Sequence, residues 1–310
     1  MSKIELYAPR APRHRRTWTA AAIPLILVFF ILGQLATIFG VLKPMGFHQA
    51  DLETQWEPLT IQLLGFGVSA LLLLGWAWLF ERRTPAALGL NGRALARYGR
   101  GLLVGAGFLL GVIGLIWISG GYRVEGLGVW TAPAPMLFLP FLALFVGFMV
   151  QGGTEELLMR GWLMPLVASR HGLVLAIVIN SLLFALMHGG NIAPSLELAL
   201  ALVNLLLFSG LVSLYAIKEG SLWGVCAWHT AWNTLLGVGF GLEVSGARIG
   251  VQSLVVDLAP AEGAPWWLTG GVFGPEASVA TSAVLLVGVI WLLAAGALKT
   301  SSGFAAPQAN

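Results

Sequence analysis

Cysteine and charge are what this sequence has least of. One cysteine, Cys226, stands among 310 residues, which excludes an internal disulfide and a Cys-rich metal cluster. Charged residues make up 10% of the chain, against about a quarter in soluble domains. The zincin spacing H-E-x-x-H and the hydrolase elbow G-x-S-x-G are both missing, and no internal repeat of the kind found in inverted-topology transporters is present. The net charge of +3 comes from 17 Lys and Arg dispersed in short stretches between apolar runs. That dispersal argues for membrane topology and against nucleic acid as a partner.

What fills the chain instead is apolar. Hydrophobic residues account for 57% and the mean hydropathy is +0.84, a composition that belongs in a bilayer. Apolar runs suited to about 30 Å of hydrocarbon lie near 18–42, 58–80, 101–119, 134–153, 172–188, 197–217, 221–240 and 277–298, the fifth being marginal in length. They predict an all-α fold, a polytopic membrane helix bundle of about eight transmembrane helices. The first run exceeds the roughly 7 to 15 residues of a cleavable signal peptide's apolar region. The expected organisation is a disordered basic cytoplasmic tail at 1–17, a single transmembrane helical domain at 18–298, and a short cytoplasmic tail at 299–310.

Charge placement orients the bundle. With both termini inside, every Lys and Arg except Lys43, Arg123 and Arg248 falls on the cytoplasmic side, as the positive-inside rule requires. The prediction is N-in and C-in. Trp18, Trp56, Trp130, Trp162, Trp223 and Trp266 lie near predicted run ends, where an amphipathic ring prefers the headgroup region. The expected location is a multi-pass position in a membrane, taken as a bacterial inner membrane, with lipid as the surrounding partner.

Three short segments break the apolar pattern. In Gly152-Gly153-Thr154-Glu155-Glu156-Leu157-Leu158-Met159-Arg160 two carboxylates follow a long apolar run. Charges at a helix centre cost about 2.5 to 3.5 kcal/mol each on insertion scales, so they call for a reason. Glu156 and Arg160 are spaced i, i+4 with the acid first, the favourable order for an ion pair. Glu155 points about 100 degrees away and is free to face the bundle interior. An ion network at the cytoplasmic helix end is the plain structural alternative.

The second segment is Phe184-x-x-x-His188, closing a run before Gly189-Gly190-Asn191. If the chain reverses at Gly172, Glu155 and His188 each sit about 25 Å from that turn at 1.5 Å per residue, and so share a level. The third is His229-x-x-x-Asn233, both on one helix face and within about two turns of that level. His14, His48 and His171 fall in tails or loops and carry no assignment.

Glu, His, His and Asn on three helices can hydrolyse an amide without a side-chain nucleophile. A carboxylate and an imidazole hold and deprotonate water, and an imidazole and a carboxamide donate to the oxyanion. Glu155 with His188 suits the first task and His229 with Asn233 the second. Glu156, Arg160 and Phe184 support them. The favoured form needs no cofactor. The alternative is Zn held by Glu155, His188 and His229, its bound water acting as nucleophile. Cys226 lies i, i+3 from His229, but an apolar setting raises a thiol pKa and argues against a Cys-His nucleophile.

The three motifs Glu155-Glu156-x-x-x-Arg160, Phe184-x-x-x-His188 and His229-x-x-x-Asn233, in order on separate helices, resemble those of the CPBP intramembrane proteases, which include the type II CAAX prenyl endopeptidases and Abi-type immunity proteins. The similarity is strong over 134–240. Weaker likeness extends to Arg83-Thr84-Pro85 through Leu90 and to Gly270 through Glu276. The resemblance implies an eight-helix fold and cleavage of a peptide bond, with Glu155 and His188 activating water and His229 and Asn233 stabilising the oxyanion. It implies a membrane-associated peptide or protein substrate, lipidated or ending in a CAAX-like tail, and it leaves zinc open. A non-catalytic scaffold or immunity protein and a proton-coupled transporter are the competing readings.

Overall fold

In hydrocarbon a backbone must satisfy its own hydrogen bonds, and a single segment does so only as a helix. The computed structural model of the chain describes residues 4–131 and 138–299 and is mostly helical. In chain order the main helices are α1 (Thr19–Leu42), α2 (Trp56–Leu79), α3 (Ala94–Ile118), α4 (Leu139–His171) and α5 (Leu173–Met187). They continue with α6 (Leu196–Glu219), α7 (Trp223–Asn233, extended by the π-helical Thr234–Gly239) and α8 (Val279–Ala294). α1, α2, α3, α4 and α6 are long and apolar enough to cross a membrane, while α5 and α8 are shorter apolar helices. Leu79, Leu103, Ile118 and Val287 face outward and exposed, a surface matched to lipid rather than water.

Each expected run meets a helix, and residues 134–137 of the fourth lie outside the described residues. The all-α expectation needs one correction. Tyr122–Leu127 (β1) and Val256–Pro260 (β2) pair as a two-stranded antiparallel sheet with a bulge between Val124 and Gly126. Two loops at the end of the bundle remote from most arginines thus satisfy each other's backbone groups.

Close helix contacts are made where side chains are absent. A Cβ at Gly105 would lie 2.5 Å from the Trp228 carbonyl oxygen, and one at Gly101 would collide with the Gly224 carbonyl. This small-xxx-small stripe lets α3 approach the backbone of α7, the helix that carries His229 and Asn233.

α4 spans 33 residues, about 50 Å at 1.5 Å per residue, far more than a bilayer needs. Its middle opens into a π-helical stretch at Leu157–Leu163, where the Met164 N–H donates to the Met159 carbonyl. Proline explains the widening. The Pro165 ring would clash with the carbonyl four residues back, and it has no N–H to give. In this i, i+5 register the Arg160 carbonyl would look to residue 165 for a donor and find none; the Tyr7 hydroxyl donates to it instead at 3.1 Å.

That contact belongs to a larger correction. Residues 4–17, expected to be a disordered tail, pack against the C-terminal end of α4. The Ile4 N–H donates to the Ala168 carbonyl at 3.3 Å. Glu5 is buried with Arg10 at 3.4 Å and Arg16 at 3.0 Å. The Thr17 N–H and hydroxyl both donate to Glu81 at 3.1 and 2.7 Å. Burial lowers the Arg10 pKa, and Glu81 and Glu5 oppose that shift. Paired charges explain why a basic segment orders here instead of staying solvated. Residues 1–3 and 300–310, and with them most of the expected C-terminal tail, lie outside the described residues.

Two more expectations change with this packing. Trp162 is buried instead of marking a membrane boundary, and Arg160, counted among the cytoplasmic charges, lies fully inside the bundle.

Candidate active site

The Glu-Glu pair ends the regular part of α4, Leu139–Glu156. Gly172, at φ +90°, reverses the chain into α5, which returns His188 to the level of Glu155. α7 brings His229 alongside, and Gly152 makes room for it: a Cβ there would stand 3.1 Å from the imidazole Cγ. The result is a cavity of about 370 Å³ lined by Gln151, Glu155, His188, His229, Asn233 and Glu276 among mostly apolar side chains.

Glu156 and Arg160 form the expected i, i+4 ion pair at 3.2 Å, with both side chains wholly buried. Arg160 also donates to the Ser209 hydroxyl at 2.7 Å. Its guanidinium lies 4.6 Å from the Phe184 ring centre and 5.7 Å from that of Phe208, so aromatic faces take the part of water around a buried cation. Glu156 does more than neutralise Arg160. It accepts from His229 Nδ1 at 3.0 Å, which fixes the ring orientation and turns Nε2 toward the cavity.

The contact that Glu155 makes differs from the sequence expectation. Glu155 Oε2 lies 3.8 Å from His229 Nε2, and no ion pair joins it to His188. Its other oxygen accepts from Gln151 Nε2 at 2.5 Å, and Gln151 Oε1 accepts from Asn233 Nδ2 at 3.0 Å. Asn233 is therefore tied through Gln151 to the acid, with its second amide hydrogen left to donate. Rotation of α7 about its axis, set by the contacts at Gly101, Gly105 and Gly152, decides how the His229 ring meets the two carboxylates.

Glu155 Oε2 is buried and has no hydrogen-bond partner among the described residues. A carboxylate oxygen in that state is costly unless something polar joins it in use. His188 donates from Nδ1 to the Phe184 carbonyl at 2.8 Å and packs at a tilt against the Phe184 ring with centroids 4.8 Å apart. Its Nε2 keeps a lone pair. Cys226 Sγ points to the Gly153 carbonyl at 4.0 Å, a packing role.

Zinc is a test of the donor set. Both Nδ1 atoms are held by oxygen acceptors, as in many metal-bound histidines, yet among the described residues no three His, Cys, Asp or Glu are grouped so as to hold an ion. The arrangement does not fit a three-ligand site, and no step below is routed through a metal.

Two cavity groups escaped the sequence reading. Gln151 sits i−4 from Glu155, on the same helix face, and that spacing was the available signal. Glu276 is buried and accepts from Trp232 Nε1 at 3.1 Å and from the Ser245 hydroxyl at 3.0 Å. It pins the 241–275 loop over the cavity. The Gly270–Glu276 segment carries a weak likeness to the family, but nothing in its spacing gives Glu276 a partner.

No curated protein and no solved structure matches the chain. Residues 136–235, the stretch that carries all three motifs, match the family model described as type II CAAX prenyl endopeptidase Rce1-like.

Proposed function

We propose that this protein is an intramembrane endopeptidase that hydrolyses a peptide bond of a membrane-associated peptide or protein by an activated water. The observation that carries the reading is Glu155 Oε2, a buried carboxylate oxygen without a partner at 3.8 Å from His229 Nε2. A water seated beside this pair, on its cavity side, reaches both atoms.

Glu155 takes a proton from that water as its oxygen attacks the carbonyl carbon, then gives the proton to the departing amine as the C–N bond breaks. His188 Nε2 accepts the water's second hydrogen and orients the attack. The oxyanion receives the free Asn233 N–H and, from protonated His229, the Nε2–H, while Glu156 retains the Nδ1–H of the same ring. Apolar walls around the cavity strengthen each of these interactions and suit an amphipathic or lipidated peptide. CAAX-like tails are among the substrate classes that this chemistry admits.

The test is hydrolysis of internally quenched peptides by purified protein. Glu155→Gln and His188→Ala each reduce turnover by about 10² to 10⁴-fold while the melting temperature holds. Retained turnover, or loss of folding with both substitutions, points to a structural polar network and against the enzyme reading.

A further inference from the structure

The bundle has two chemically distinct ends, and the cavity opens at only one of them. At the first end Arg100 pairs with Glu219 at 2.9 Å, Lys218 donates to the Ala295 carbonyl at 2.9 Å and Arg170 donates to the Thr17 carbonyl. These contacts gather the loops that hold nearly all the Lys and Arg. At the other end β1 pairs with β2, and Arg248 approaches Glu125 at 4.0 Å. By the positive-inside rule the arginine-rich end is cytoplasmic.

The exposed residues at the cavity rim are Gln49, Glu53, Asn191, Ala247 and Arg248. All five lie in the connections between helices at the arginine-poor end, Glu53 within the short helix Asp51–Thr54. No lining residue comes from segments 4–17, 80–100, 166–172 or 218–222, which form the arginine-rich end. The floor is closed in that direction. Every residue from Leu157 through Ser169 is buried, and the Arg160 guanidinium is packed against Phe184 and Phe208. From Glu155 the helix continues about 24 Å toward the cytoplasmic end, whereas exposed Asn191 follows His188 by only three positions.

We infer that the site takes its substrate from the non-cytoplasmic face. The scissile bond then lies in an extracytoplasmic segment of a membrane-anchored or exported polypeptide, and not in a lipidated tail presented by a cytosolic protein. This rests on the hydrolytic reading for the chemistry, and on loop placement alone for the side.

Two measurements separate these. In a Cys226→Ala parent, single cysteines are placed by Ala247→Cys at the cavity mouth and by Leu95→Cys at the opposite end, where Leu95 is 91% exposed. A membrane-impermeant maleimide is applied to intact cells and then after lysis. The mouth cysteine labels in intact cells and the opposite one only after lysis. The reverse pattern overturns the inference whether or not the protein cleaves peptides. In the second measurement the Ala247→Cys protein, in sealed vesicles with its mouth outward, receives an impermeant quenched peptide from outside. Cleavage occurs and falls at least tenfold after maleimide modification. Cleavage of the same peptide only when it is enclosed inside also overturns the inference. Absence of hydrolysis from either side and in detergent, with the expected labelling, overturns the hydrolytic reading and leaves the orientation of the cavity standing.

Discussion

Replacing Glu156 by glutamine tests whether this carboxylate orients His229 or merely neutralises Arg160. Its side chain is wholly buried and takes two donors, Arg160 at 3.2 Å and His229 at 3.0 Å. Removing one partner of a buried ion pair costs about 3 to 5 kcal/mol. Glutamine keeps the shape and one acceptor oxygen, so the lower bound of about 3 kcal/mol applies. At no more than the about 2 to 4 °C per kcal/mol of somewhat smaller chains, the melting temperature falls by up to about 6 to 12 °C. Turnover falls separately, because the His229 ring loses the acceptor that fixes it, and a positioned acid–base group is worth about 10² to 10⁴-fold. Adding Arg160→Met splits the two effects. With both charges gone, an apolar side chain sits against Phe184 and Phe208 where sulfur packs well, and an apolar swap of a buried pair is close to neutral. The double variant therefore regains most of the lost melting temperature and none of the lost turnover. Thermal unfolding in detergent and quenched-peptide hydrolysis report the two quantities. A double variant that melts no higher than Glu156→Gln, or a single variant with wild-type turnover, would refute this reasoning.

Three further outcomes follow from the same geometry. Gln151→Leu severs the link from Asn233 to Glu155; one hydrogen bond to a charged group is worth about 1.5 to 3 kcal/mol, so kcat drops by about 10 to 100-fold with little change in melting. Gly105→Leu forces a side chain onto the Trp228 carbonyl at the α3–α7 contact and destabilises by at least the about 1 to 3 kcal/mol of ordinary overpacking, read as a lower apparent melting temperature. Tyr7→Phe leaves the Arg160 carbonyl without a donor and costs about 1 to 3 kcal/mol, again visible in thermal unfolding and absent from a control at exposed Leu95.

Much of this was legible in the sequence because bilayers impose simple rules. Apolar runs located each helix, since a single segment satisfies its own backbone in lipid only as a helix. The i, i+4 pair Glu156–Arg160 and the shared level of Glu155 and His188 followed from helix rise and one turn at Gly172. What failed was rotation. A wheel drawn at 3.6 residues per turn cannot anticipate the wide turn that Pro165 imposes on α4, or how far Gly152 lets the His229 ring advance. So His229, not His188, proved to be the ring that Glu155 approaches. Gln151 was hidden for a different reason, as an uncharged residue among apolar ones with no conspicuous partner in the chain. The ordering of residues 4–17 was missed because a run of arginines reads as solvated until its buried glutamates are known.

The strap formed by those residues also has a consequence in time. Tyr7 and the Arg160 carbonyl it serves are separated by 153 positions, so at about 5 to 20 residues per second of synthesis the tyrosine emerges about 8 to 30 s before its acceptor exists. Throughout that interval the newborn amino-terminal stretch must be kept from other partners, and a bulky fusion attached there would compete for the place it finally takes.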